Sequence, residues 1–514
     1  MSNKYLLIVL SILPNSLYAA HILSLFAMPV PSQYAFIEPL LKELAARGHQ
    51  ITSITSFPQK QPIPNFRDVV VKKNNNLFID FQNFTVDNIE ANYYEIVDEM
   101  YNRAFQMCIN VQNDAAVRQI LDQEKIDLII LEVFFSESFF GLSEYLQAPI
   151  VGVSTLGTMI SIDELVGNIS PMSYLPNLIL PLHEMTFWER LLNVMLYFVE
   201  LAHYYRKYMP IQKQIYNFYY TNAKLTFEEA QTNFSLVLLN DHFSLTTPRP
   251  YVPNMIEVAG LNIVTNPEPL TPVVKQILDS GRKGVILISL DVKLNPQTVN
   301  IFLQQFKSMP QLILWKTSQK IPNPPPNVYV SPNFVEASIL PHPNIQLYIT
   351  PGGFLSIIES VYHGLPILGV VSTEKQEDYV DYVKRVGNGV SIKLHTISEK
   401  SFAKAFNELL GSPYYTNIAK TLSHRFRDQQ NTPMERAVYW IEYVLRHKGA
   451  RHLRNMGQNL TWWQFYNIDV IFAILCVFAL ITFLALVFVK ILIQFLWKLK
   501  TKRKLSNVNK EKKV

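Results

Sequence analysis

The stretch YITPGGFLSIIESVYHGLPIL, residues 348–368, constrains the fold more than any other segment of its length. It reads as an apolar strand, a Pro351-Gly352-Gly353 turn, a helix over 354–362, a His363-Gly364-Leu365-Pro366 break and a second apolar strand. Two buried strands joined by one helix make a βαβ unit, which requires parallel strands and a crossover helix. The same alternation begins earlier in the chain, with a strand at 21–28, a helix near 36–47 stopped by Gly48, and a strand at ITSITSF. A strand, helix and strand follow at 127–131, 139–145 and 149–154. A proline-marked stretch, 246–272, reads as a domain boundary. Beyond it, strands at 284–289, 312–315, 328–330, 345–350 and 367–371 alternate with helices at 296–309, 354–362, 377–386 and 399–411.

Both ends of the chain point to a membrane. Lys4, an apolar run over 5–13 and the small residues Ala19-Ala20 form the pattern of a secretory signal peptide, residues 1–20. Residues 470–489 carry no charge, and a helix of that length rises about 30 Å, one bilayer core. Trp462, Trp463 and Tyr466 precede the span as an interfacial aromatic belt would, and the tail, 490–514, sets nine Lys and Arg against Glu511 alone. Positive residues stay cytosolic, so the expectation is a single-pass type I protein of the endoplasmic reticulum membrane with its body in the lumen. The final Lys-Glu-Lys-Lys-Val resembles dilysine signals that return proteins to that membrane, although lysine-rich tails also follow from topology alone. Asn-x-Ser/Thr triplets begin at Asn83, Asn168, Asn233 and Asn459, all on the lumenal side and all glycan candidates.

The whole chain carries +5, so without its tail the folding part is net negative. Nucleic acid, which demands a basic patch on the folded part, is excluded as a partner. Cys108 and Cys476 are the only cysteines, and the second lies in the apolar span, so no disulfide builds the fold. About 440 residues between signal and anchor suffice for two domains: an N-terminal one over 21–245, a linker over 246–283 and a C-terminal one over 284–455. Segment 171–209 is rich in Leu, Tyr, Phe and Trp, and Thr186 with Glu189 fits a capping box. Its apolar residues are too many for one narrow stripe: it is core, or it covers a greasy ligand, or it touches the membrane surface. No His, Cys and carboxylate cluster has metal-ligand spacing, and no metal or other cofactor is expected.

In open α/β sheets, ligands sit beyond the carboxyl ends of the strands. A helix starting there offers unpaired N–H groups and the positive end of its dipole, and glycine lets a phosphate approach the backbone. Gly352-Gly353 before the 354–362 helix therefore reads as a diphosphate cradle, a weak signal when it stands alone. It does not stand alone. SPNFVEASILPHPNIQLYITPGGFLSIIESVYHGLPILGV and WIEYVLRHKGARHLR resemble the UDP-glycosyltransferases of the endoplasmic reticulum, which attach sugars to small lipophilic compounds. The likeness covers nearly the whole chain and is loosest across 55–240. It implies an α/β fold of the GT-B type: two Rossmann-like domains with a cleft between them, plus the C-terminal transmembrane helix. The N-terminal domain would hold the acceptor and the C-terminal domain the UDP-sugar, a co-substrate rather than a cofactor. The resemblance further implies that the helix start with Ser356 holds the diphosphate, that Glu359 binds the ribose hydroxyls, that Gln376 contacts the sugar and that Arg249 stands near the diphosphate. For Arg249 and Gln376 a plain surface role is the competing reading.

The sequence departs from that family at the positions closest to the chemistry. The histidine before the two glycines is Pro351, which has neither a side-chain donor nor an N–H. The catalytic histidine aligns with Gln33, whose amide takes no proton near neutral pH, and loss of a general base costs about 10²–10⁴-fold. Its acidic partner position falls on Glu132, which is otherwise a buried, hydrogen-bonded carboxylate at a strand end. The aromatic platform for uracil is Asn333, and the glutamine three positions on is Glu336, a carboxylate that would repel a diphosphate. A Gly-Ser loop has become Asp291-Val292, and the aspartate before Gln376 has become Lys375.

Two functions follow. The first is inverting transfer of a hexosyl or glucuronosyl group from a UDP-sugar to a small lipophilic acceptor. Gln33 then restricts acceptors to those that need no strong base: a carboxylate, already deprotonated, or a neutral amine with a free lone pair. The second is a catalytically impaired member that binds a lipophile in the lumen or partners an active paralogue. Oligomers with itself or with a paralogue are compatible with both.

Overall fold

The computed structural model describes residues 19–77, 79, 93–177, 180, 184–290, 292–371, 383, 384 and 386–511, the last stretch without the side chains of 462 and 503–511. The signal peptide expected at 1–20 falls almost wholly outside the described residues, as do Asn83, Asp291, Lys375, Gln376 and most of the helix expected at 377–386. The chain divides into two compact units, Met1–Arg454 and Asn455–Val514.

The first unit contains two parallel sheets. One holds β1 (His21–Phe26), β2 (Gln50–Thr55), β3 (Phe66–Val69), β4 (Leu128–Glu132), β5 (Ile150–Ser154), β6 (Phe234–Leu239) and β7 (Met255–Glu257), in the order β3-β2-β1-β4-β5-β6-β7. The other holds β8 (Val285–Ser289), β9 (Leu312–Lys316), β10 (Val328–Ser331), β11 (Ile345–Thr350), β12 (Ile367–Val371) and β13 (Gly389–Lys393), in the order β10-β9-β8-β11-β12-β13. Each sheet reverses its strand order beside its own first strand, at β1/β4 and at β8/β11. Those switch points are where open α/β sheets leave a crevice. Every residue of β4, β5, β8 and β12 is buried, which explains their unbroken apolar sequences: helices cover both faces of a parallel sheet.

The sequence reading missed β3, β6, β7 and β13. β3 and β13 are short edge strands with half-exposed residues, so their sequences FRDV and GVSIK carry no apolar run. β7 lies inside the stretch expected to be a linker and adds the last strand to the first sheet.

Helix Pro433–His447 opens with a capping box of Thr432 and Glu435 and buries Ala437, Val438, Ile441 and Val444. Those residues pack not on the neighbouring second sheet but into the core formed by β1 and helix Pro31–Ala46. Arg436 donates to the Glu257 carbonyl at 2.8 Å. The body's last helix thus straps the second half of the unit to the first. Leu355, in the first turn of helix Phe354–His363, packs against the same core, so the amino end of that helix abuts the first half.

Helix Phe187–His203 has the expected capping box. It is not core: Phe187 is 62% exposed, Trp188 73% and Met195 58%, with only Asn193 and Tyr197 buried on it. A π-helical turn, Tyr204–Tyr208, continues it. In the second unit one helix runs Ile468–Glu511. Its segment Ile468–Lys502, with a mean hydropathy of 3.2 in its most apolar window, is long and apolar enough to cross a membrane and extends past the expected 470–489.

Candidate active site

β11 ends at Thr350, at the switch point of the second sheet. The Gly352 N–H donates to the Thr350 hydroxyl at 3.4 Å. Gly352 adopts φ +85°, a left-handed conformation that a side chain would strain. Gly353 caps helix Phe354–His363, and among the described residues no side chain bonds to its cap and nothing lies within 4 Å of the position a Cβ would take. Among the described residues, the space before the helix is therefore open. The helix closes its first backbone bond only from the Ile357 N–H to the Gly353 carbonyl at 3.1 Å, so the turn before it belongs to the helix's donor end. Ser356 lies half-buried in that turn. Pro351 stands at the entrance without a donor, as expected.

Glu359 is half-buried one turn further on. Burial first, and the neighbouring Glu336 carboxylate second, push its carboxyl up to about 7, while the Asn262 amide and the Lys316 ammonium pull it back. Lys316, the last residue of β9, pairs with Glu336 at 3.1 Å, and the Tyr348 hydroxyl approaches the other Glu336 oxygen at 3.5 Å. Lys316 thus offsets part of the repulsion expected from Glu336. Sequence reasoning missed Lys316, although a cation at the carboxyl end of the strand LILWK was a legible signal. Asn333 is exposed and fixes its own backbone to the Ser331 hydroxyl at 3.1 Å, offering no ring for a base to stack on.

The first sheet places two expected residues together. Pro31 starts helix Pro31–Ala46, Gln33 sits half-buried in its first turn, and Glu132 ends β4 on the other side of the switch point. Both line one crevice walled by Phe26, Met28 and Phe134. Glu132 is only 6% exposed. Its Oε1 accepts from the Thr155 N–H at 3.3 Å, and its Oε2 has no partner among the described residues. Burial pushes its carboxyl up to about 8 against hydrogen bonds from Thr155 and the Phe134 N–H, which favours the protonated form more than in an exposed glutamate. A second buried acid, Glu137, escaped sequence reasoning. Burial raises it to about 7 against hydrogen bonds from Tyr208 and Tyr204, the latter at 2.8 Å. The tyrosines' spacing on the π turn was the only sequence trace of it.

The Arg249 guanidinium donates to the buried Asp163 carboxylate, and its own side chain is one-tenth exposed. Among the candidate glycan sites, Asn168 is buried, and its amide donates to Asp163 at 2.9 Å and to the Pro250 carbonyl at 3.1 Å. Attachment there would take one of those two N–H donors. Asn233 donates to the Ser143 hydroxyl at 3.0 Å, whereas Asn459 is exposed.

Comparison with known proteins bears on this geometry directly. The crystal structures of the glycotransferase of kitacinnamycin and of the calicheamicin glycosyltransferase CalG4 superpose with TM-scores of 0.55 and 0.52, at 14% and 16% identity, over 83% and 84% of this chain and 99% of each of theirs. At that identity they establish the fold, which is GT-B. UDP-glucosyltransferase 2 of Dactylopius coccus is 31% identical over 98% of this chain and 98% of its own. UDP-glucuronosyltransferase 2B17 of Mus musculus is 28% identical over 87% and 88%. Residues 26–504 match the family described as UDP-glucoronosyl and UDP-glucosyl transferase. With two parallel sheets, a glycine-opened helix start and a match of this extent, the chain belongs to the UDP-glucoronosyl and UDP-glucosyl transferase family.

Proposed function

We propose that this protein transfers a hexosyl or glucuronosyl group from a UDP-sugar to a small lipophilic acceptor, with inversion, in the lumen of the endoplasmic reticulum, anchored by its C-terminal helix. The observation that carries the reading is the open helix start behind Gly352 and Gly353 at the β8/β11 switch point. Its amides and dipole suit a diphosphate, and Glu359 one turn on suits a ribose diol, since an ionised carboxylate accepts from two hydroxyls at once. Gln376 would contact the sugar, and Lys375 would pair with an anionic sugar or a phosphate. The acceptor, held by the first sheet's crevice, attacks the anomeric carbon. The bond to the diphosphate breaks, and UDP leaves with the electron pair, its growing charge met by the helix start.

Gln33 cannot take a proton, so the acceptor must arrive with its nucleophile ready, as a carboxylate or a neutral amine. A binding protein without turnover is the second reading, favoured by Glu132, which has no imidazole to orient. The test is to incubate the full-length, detergent-solubilised protein with UDP-glucose or UDP-glucuronate and a panel of aryl carboxylates, amines and phenols. UDP release coupled to glycoside formation supports transfer. UDP binding without product for any acceptor supports the binding protein, and failure of UDP to bind in the millimolar range overturns both donor assignments.

A further inference from the structure

The crevice beside Gln33 and Glu132 has room for about one water molecule, far less than a lipophilic acceptor fills. One of its walls must therefore move before an acceptor enters. Phe26 and Glu132 belong to strands, Gln33 to helix Pro31–Ala46 and Met107 to helix Tyr93–Asn113, whereas Phe134 and Ser136 lie in the segment 133–136 that leaves β4. Between those two, Phe135 adopts φ +64°, and among the described residues of the crevice and its flanks it alone has a positive φ. An aromatic residue rarely takes this left-handed conformation, because its Cβ crowds the following carbonyl oxygen, and a turn that needed it would ordinarily use glycine or asparagine. Such strain persists only where the surroundings hold it. Here the Phe135 ring packs edge-on against Tyr101 and tilted against Tyr208, with centroids 5.8 Å away in each case. The Phe135 carbonyl accepts from the Cys108 thiol at 3.6 Å, a group that burial keeps protonated. The Ser136 hydroxyl donates to the Glu132 carbonyl. Tyr208 belongs to the π turn Tyr204–Tyr208, whose two outer hydroxyls both donate to Glu137, the residue after Ser136. A left-handed aromatic residue and a π turn, two rare backbone features that collect at functional sites, thus meet on one segment of the crevice wall.

We propose that residues 133–136 form a gate in the crevice wall, with Phe135 as the positioning residue, held left-handed by Tyr101, Cys108 and Tyr208, and Phe134 as the specificity-determining residue that it keeps in place. This rests on the transfer reading above for what enters the crevice, and adds how it enters. The Phe134 and Phe135 rings lie 3.7 Å apart between centroids, so the two side chains move together. Release of Phe135 to the extended region, which any residue adopts without strain, re-aims Phe134 and withdraws its half-buried ring from the wall. The apparent affinity for an acceptor is then its intrinsic affinity reduced by the fraction of molecules whose gate is open. A small body gains nothing from opening, whereas a bulky apolar one needs it, so the gate sets the size of acceptor admitted.

The experiment mixes 1-naphthol rapidly with the full-length protein in detergent and follows the fluorescence of the naphthol. With the wild-type protein the binding rate should rise with 1-naphthol concentration and then level off, because opening limits it. Phe134→Ala should bind 1-naphthol about tenfold tighter or more and lose the plateau. A ring that merely lined the wall would give the opposite sign, since its removal takes contact area away from the ligand. Phe135→Ala and Phe135→Gly lose the same ring, but glycine adopts the left-handed conformation without strain and alanine does not. The alanine variant should therefore open more readily and bind roughly fivefold tighter than the glycine variant. A wild-type rate that never levels off, F134A binding no tighter than wild type, or equal affinities of F135A and F135G overturns the gate. UDP titrated in parallel separates the two claims. Gated binding of 1-naphthol without UDP binding removes the transferase reading and leaves the gate standing, whereas glycoside formation from any acceptor with ungated binding does the reverse.

Discussion

A carboxyl buried without a cation carries its proton into the folded state, and Glu132 makes the stability of this protein depend on pH in an unusual direction. Its folded pKa, about 8, lies above that of an unfolded glutamate, so between those values the native state binds the extra proton and stability falls as pH rises. Urea unfolding at pH 5, 6.5 and 8 should show stability falling as pH rises, and E132Q should lessen the slope without abolishing it, since burial raises Glu137 and Glu359 as well. Gln33→His restores an imidazole beside Glu132, which lets the carboxyl ionise. Turnover on phenols should rise by about 10²–10⁴-fold, and no gain would place the block on the donor side. On the donor side, Lys316→Ala should weaken UDP binding about tenfold by unmasking Glu336, with E336Q in the same chain restoring it, a coupling that a double-mutant cycle reads directly. At this scale the sequence named Gln33, Glu132, Arg249, Pro351, Glu336 and Glu359 but not what they touch. Their contacts come from residues distant in sequence: Thr155 for Glu132, Lys316 for Glu336, Asp163 for Arg249.

Helix Phe354–His363 has the strongest local signature in the chain, with glycines at its start and Gly364 in the left-handed conformation at its end, where the Leu365 N–H closes onto the Ser360 carbonyl at 2.9 Å. Both boundaries were legible because backbone conformation there demands particular residues. Helix Phe187–His203 was read correctly as a helix from its capping box, yet its face was not, because apolar content alone does not say whether a neighbour covers it. Gly353 offers a clean test of the cradle. Its φ of −65° tolerates a side chain and no described residue lies within 4 Å of its Cβ position, so Gly353→Val should cost only about 1 kcal/mol, that of a poorer N-cap. A valine there would stand where a phosphate approaches, so UDP affinity should drop about tenfold or more. An unchanged affinity would move the diphosphate elsewhere.

Across the whole molecule, alternating strands and helices announced two parallel sheets, whereas the strap between them was unreadable. Nothing in PMERAVYWIEYVLRH states that Ala437, Val438 and Ile441 leave the second sheet for the core around β1. Ile441→Ala should therefore destabilise the body by about 2–5 kcal/mol in a single cooperative urea transition, since its cavity opens in a core shared by both halves. A separate early transition of one half would contradict the shared core. The central claim is that the Gly352-Gly353 helix start receives a nucleotide diphosphate, and amide hydrogen exchange on the full-length protein, with and without millimolar UDP, tests it most directly. Slowed exchange concentrated over residues 352–359 is the predicted result. UDP binding that protects other segments and leaves these amides unchanged would contradict the account.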